Sequence, residues 1–128
     1  MNEKVKYWTD LSDYDIETAE AMLSSQRYLY VGFMCHQTIE KILKAYYCSK
    51  FDDISPYSHN LSYLAAKAGL EDLIPQIYKE FINLLEPLNI EARYPTHKEQ
   101  LVKSLTKARC EEILLKTNQL QKWVKERL

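Results

Sequence analysis

The chain has 128 residues, a net charge of −1 and 46% apolar side chains, the profile of one ordinary domain that buries a core without disulfide or metal staples. Only 2 Gly and 4 Pro are present, too few for the turns of a many-stranded sandwich or barrel, and the isolated Gly32 and Gly69 exclude a P-loop or a Rossmann phosphate loop. The near-neutral charge excludes coating of nucleic acid by bulk electrostatics.

The first predicted element is a helix from about Tyr7 to Ser25, with Trp8, Leu11, Asp15, Thr18, Ala19, Met22 and Leu23 at helical spacing. Asp15 is the charged member of that stripe and needs a partner, because an unpaired buried carboxylate is costly; Arg93 is the partner expected. The second helix is predicted over about Tyr28 to Ser49. Its apolar residues, from Val31 to Tyr47, cover most of its girth and leave a narrow polar strip of His36, Gln37, Glu40, Lys41 and Lys44. A helix apolar on so many sides is central in a bundle or lies at an interface.

A loop over 50–58 contains Pro56, and Ser58 is the expected N-cap of a short third helix ending at Gly69. A fourth helix fits Asp72 to about Leu88, with Pro75 in its first turn and Pro87 at its end. A connector over 89–96 follows, and the last helix is predicted from about His97 to Arg127. Its apolar stripe begins with Leu101, Leu105 and Ala108 and continues on a shifted face with Ile113, Thr117, Leu120 and Val124. The expected architecture is all-α: an antiparallel up-and-down bundle of four to five helices forming one domain over 1–128.

The longest uncharged stretch, Ile54 to Ala66, has 13 residues, against about 20 for a membrane span. With no apolar run near Met1, the expectation is a cytoplasmic protein with no membrane association. Cys35, Cys48 and Cys110 show no Cys-x-x-Cys pair and read as reduced core thiols. His36, His59 and His97 lack ligand spacing with Cys35, so no metal is expected, and no cofactor is implied.

Four motifs stand in order along the chain: Asp15-Ile16 with Ala19 and Leu23; His36-Gln37-Thr38-Ile39-Glu40-Lys41-Ile42-Leu43-Lys44-Ala45; Ser58-His59-Asn60-Leu61; and Ala92-Arg93-Tyr94-Pro95. Together they resemble the HEPN domain (higher eukaryotes and prokaryotes nucleotide-binding domain), from about Tyr7 to Val124. The resemblance implies a small antiparallel helical bundle, commonly a homodimer. It also implies a nucleotide- or RNA-associated binding and regulatory module, partnered with a minimal nucleotidyltransferase in a toxin–antitoxin pair. Some members are metal-independent RNases that carry Arg and His with four to six residues between them near the start of the last helix.

Here Arg93 and His97 are separated by three residues, a departure that puts catalysis second to binding. As a catalytic pair, His97 would take the proton of a ribose 2′-hydroxyl and Arg93 would stabilise charge on the phosphoryl oxygens. As a binding element, Arg93 would contact an anion; as a structural one, it would pair with Asp15 or Glu40. Gln37, Glu40, Lys41 and Lys44 share one helix face at i, i+3, i+4 and i+7. The resemblance sets Glu40 and Lys44 near an inter-helix cleft, where lysine would meet phosphate and Gln37 would bond a base. The plainer alternative is a solvated face with a Glu40–Lys44 pair. A third reading is a helical protein-interaction module with no nucleotide role.

Overall fold

Asn2 sets where the first helix begins. Its side chain accepts the Val5 N–H at 2.8 Å, so helix α1 (Glu3–Ser24) starts earlier than the apolar stripe indicated. The structure, a computed structural model, describes residues 2–89 and 95–128, with side chains from Glu99 onward in the second stretch. Among the described residues the elements are all helical: α1, α2 (Tyr28–Phe51), α3 (Leu61–Lys67), α4 (Gln76–Leu85) with a 3-10 turn over Glu86–Leu88, α5 (Pro95–Ser104) and α6 (Lys107–Lys125). The all-α bundle is as expected; the helix count rises to six because the last predicted helix is two.

That division falls at Leu105 and Thr106. Leu105 is buried, and the Thr106 hydroxyl accepts the Arg109 N–H at 3.2 Å, restarting the helix as α6. The shifted apolar stripe of the sequence is thus two helices with different buried faces. Ala108, predicted in the stripe, is exposed, because it lies in the first turn after the break.

Three long helices carry the core. α1 and α2 are joined by a tight turn in which Gln26 adopts φ 60° and Arg27 N–H reaches back to the Met22 carbonyl at 2.8 Å, a Schellman-type end. They therefore run antiparallel. α6 runs parallel to α2: the Cys110 thiol near its start meets the Tyr28 carbonyl, while Lys50 at the far end of α2 bonds the Arg127 carbonyl. α2 touches α1, α3, α4, α5 and α6, and Val31, Cys35, Ile39, Ile42 and Leu43 are fully enclosed, as its broad apolar girth predicted. Gly32 leaves room on α2 for Leu88 and Leu105; a Cβ there would sit 3.3 Å and 3.4 Å from their Cδ1 atoms.

Two local expectations are corrected. Ser58 is not the N-cap of α3: its hydroxyl accepts the Asn60 N–H at 3.1 Å, and Asn60 caps the helix instead, accepting from Tyr63 at 2.8 Å. Glu86, from the 3-10 turn, adds a second acceptor for the Leu61 and Ser62 N–H groups, at 2.6 and 3.1 Å. The fourth helix begins later than predicted, at Gln76, because Pro75 is its extended N-cap (ψ 148°) rather than part of its first turn.

Candidate functional site

The polar strip of α2 faces inward, not outward. α1 lies on one side of α2 and the loop over 52–60 folds back over the other. Glu40, Lys44 and His36 are buried and Gln37 and Lys41 half-buried, so the plainer alternative of a solvated face does not hold. One helical turn brings Lys44 Nζ to 3.1 Å from Glu40 Oε2. The second carboxylate oxygen, Oε1, lies 2.9 Å from His59 Nδ1. His59 leaves 66% of its side chain exposed, so a buried carboxylate orients a surface imidazole. Lys44 Nζ also lies 5.0 Å from the ring centroid of Trp8 on α1, within cation–π range. Lys44, Glu40 and His59 thus form a continuous polar chain from the interior of α2 to the surface.

Asp15 meets Lys41 at 3.0 Å, with both side chains mostly enclosed. The pair ties α1 to α2 and supplies the counter-charge that Asp15 requires. Arg93, the partner expected from sequence, lies outside the described residues. His97 falls in the first turn of α5, and its side chain likewise lies outside them. The structure therefore brings together Glu40 and Lys44, and separately Asp15 and Lys41, with Gln37 half-buried on the same helix face.

His36 is fully enclosed beside Gln37. Its Nδ1 sits 3.3 Å from Gln37 Oε1, and Nε2 has no hydrogen-bond partner among the described residues. Burial pushes its pKa below 6.5, against the opposing pull of Gln37, Glu40 and Glu86. The ring is held neutral, with Nε2 a bare lone pair if the proton resides on Nδ1. Among the described residues no group of three or more His, Cys, Asp and Glu side chains is arranged to hold a metal ion, and no helix is long and apolar enough to cross a membrane.

Sequence reading missed His59 and Trp8. His59 stands 19 positions from Glu40 along the chain, and nothing in local spacing signals that the loop returns it to α2. Trp8 reads as an ordinary member of an apolar stripe, although Lys44 draws it into the polar chain. A third polar cross-link was equally invisible: Ser12 donates to the Thr38 carbonyl at 2.7 Å and accepts from Gln121 of α6 at 2.9 Å.

The described residues form an all-α bundle whose central helix carries an inward-facing Glu40–Lys44 pair. The HEPN domain profile matches residues 5–127; the chain belongs to the HEPN domain family. Among solved structures it is similar to TT1696 from Thermus thermophilus, at 20% identity over 99% of this chain and 100% of that one, with a TM-score of 0.84. That likeness shows a shared fold. No curated protein matches the chain.

Proposed function

We propose that this HEPN chain is a nucleotide- and RNA-associated binding and regulatory module, acting as a homodimer with a minimal nucleotidyltransferase partner in a toxin–antitoxin pair. The observation that carries the reading is the Lys44–Glu40–His59 chain. A buried ion pair is not an economical way to stabilise a helical bundle, since apolar residues of similar volume often serve as well or better. Its presence on the central helix, with an exposed imidazole fixed at its outer end, supports a binding role. His59 presents its outer ring nitrogen at the surface with Nδ1 held on Glu40 Oε1, Gln37 is half-buried on the same α2 face as Glu40, and Arg93 would add a guanidinium suited to phosphate.

The test is calorimetric titration with a nucleotide and with a short RNA, together with co-purification against a nucleotidyltransferase partner. His59→Ala and Arg93→Ala weaken nucleic-acid binding; His59→Ala also lowers stability by about 1–3 kcal/mol, because the buried Glu40 Oε1 loses its donor, so binding is compared at a temperature where the variant remains folded. Absence of binding to both ligands, with no partner retained, overturns the proposal.

The enzyme reading, a metal-independent endoribonuclease using Arg93 and His97, is favoured by one feature: His97 lies in the first turn of α5, where a helix N-terminus favours an anion and an imidazole is suited to general acid–base work. RNA cleavage that persists in EDTA and disappears in His97→Ala distinguishes it from simple binding.

A further inference from the structure

The first turns of α1, the second half of α2 and the loop over 52–60 enclose a cleft of about 330 Å³, within the range of small-ligand sites, about 300–1,000 Å³. Tyr7, Trp8 and Tyr57 are among the residues that line it, with Glu3, Lys4 and Lys44. Trp8 is held from two sides. Tyr7 meets it edge-on, with centroids 5.0 Å apart at 80°, and Lys44 sits over its face. Tyr57 is 99% exposed, an aromatic ring beside the cleft with almost no packing of its own. The two cations differ in availability. Lys44 is committed to Glu40, whereas Lys4 has no ion pair among the described residues and is free to meet an incoming anion.

We propose that this cleft takes one nucleotide unit, its base stacked on the exposed Tyr57 ring and packed beside Trp8, its ribose hydroxyls on Glu3 and its phosphate on Lys4. The proposal rests on the nucleotide-associated reading above and gives it a location through Lys44, which belongs both to the buried polar chain and to the cleft wall. Flat aromatic walls favour a flat ligand, because stacking needs a π-face on both partners. The mouth carries both signs of charge. A simple aromatic acid would satisfy Lys4 and oppose Glu3, whereas a ribonucleotide offers hydroxyl donors to the carboxylate and an anion to the ammonium. A free nucleotide and a nucleotide at the end of an RNA chain share that chemistry.

The full chain contains two tryptophans, so Trp123→Phe makes Trp8 the sole fluorescent indole, and it reports directly on the cleft. In that background, AMP and a short oligoadenylate are titrated while Trp8 emission is followed. Saturable quenching by AMP assigns the cleft to free nucleotide; quenching by the oligoadenylate alone assigns it to RNA. Tyr57→Ala, which removes an exposed ring and leaves the fold intact, weakens either ligand at least about fivefold, the low end of base–aromatic stacking. Lys4→Gln weakens AMP but not adenosine. If both variants bind like the parent while His59→Ala or Arg93→Ala abolishes binding, nucleotide association stands and the cleft assignment falls. Equal competition by phenylalanine also overturns it, by assigning the cleft to an amino-acid-like ligand. If calorimetry finds no binding of AMP or oligoadenylate by the parent chain, both proposals fall together.

Discussion

His36 has a fully enclosed imidazole with one nitrogen unpartnered among the described residues. Its pKa lies below 6.5 in the folded chain because burial penalises the charged ring. Unfolding returns it to solvent and to the ordinary value, so between the two pKa values the unfolded state binds more protons. Stability therefore rises with pH through that window and is complete above about 6.5. Urea midpoints at pH 5.5 and 7.5 check this: the chain is less stable at the lower pH, by up to about 1.4 kcal/mol per pH unit within the window, and His36→Gln shrinks the difference. The three thiols carry a second residue-scale consequence. All are free and buried, with Cys35 pushed up to about 12 and Cys110 to about 11 by loss of water; burial raises Cys48 as well. The nucleophile is the thiolate, so a thiol-reactive probe at pH 8 labels the native chain slowly and all three positions rapidly in urea. The cysteines were legible in sequence, being few, unpaired and on apolar faces. The enclosure of His36 was not, because a histidine beside glutamine and glutamate on a helix reads as part of a wet strip until its neighbours are known.

At the scale of elements, apolar periodicity located the helices, and side-chain caps decided where they end. Gly69 illustrates the legible case. It follows the last turn of α3 at φ 81°, with Leu70 N–H reaching back to the Ala65 carbonyl at 3.0 Å, the ending that a glycine after an apolar helix announces. A Cβ there would meet no atom within 4 Å, so the cost of Gly69→Ala is backbone strain alone, about 1 kcal/mol, measured by urea denaturation. The joint between α5 and α6 illustrates the hidden case. No proline or glycine marks it; a threonine hydroxyl restarts the helix while Leu105 turns into the core. The displaced apolar stripe was its trace, and periodicity alone does not separate a break from a broad contact. Thr106→Ala removes the cap and costs about 1 kcal/mol, whereas Thr106→Asp retains most of the stability.

Across the whole molecule, the burial of the Glu40–Lys44 pair follows from the surroundings of α2 rather than from α2 itself. Opposite charges at i and i+4 are ordinary on exposed helices and worth only a few tenths of a kcal/mol there. The sequence shows the spacing but not the cover, since the cover comes from Trp8 on α1 and from a loop whose return places His59 on the second carboxylate oxygen. Once enclosed, each charge depends on the other. Glu40→Ala leaves the Lys44 ammonium without its counter-charge and His59 without its orienting acceptor. Breaking a buried pair in this way costs about 3–5 kcal/mol, whereas replacing both members by apolar residues of similar volume is often neutral or stabilising. The double variant Glu40→Leu/Lys44→Met is therefore expected to recover most of the stability lost in Glu40→Ala while failing to bind nucleotide or RNA. A double-mutant cycle read by urea midpoints, run alongside calorimetric titration, checks both halves. A Glu40→Ala cost below about 1 kcal/mol would place the pair with ordinary surface ion pairs. A stable double variant that still binds would separate the ion pair from function and leave the aromatic cleft and Arg93 to account for recognition.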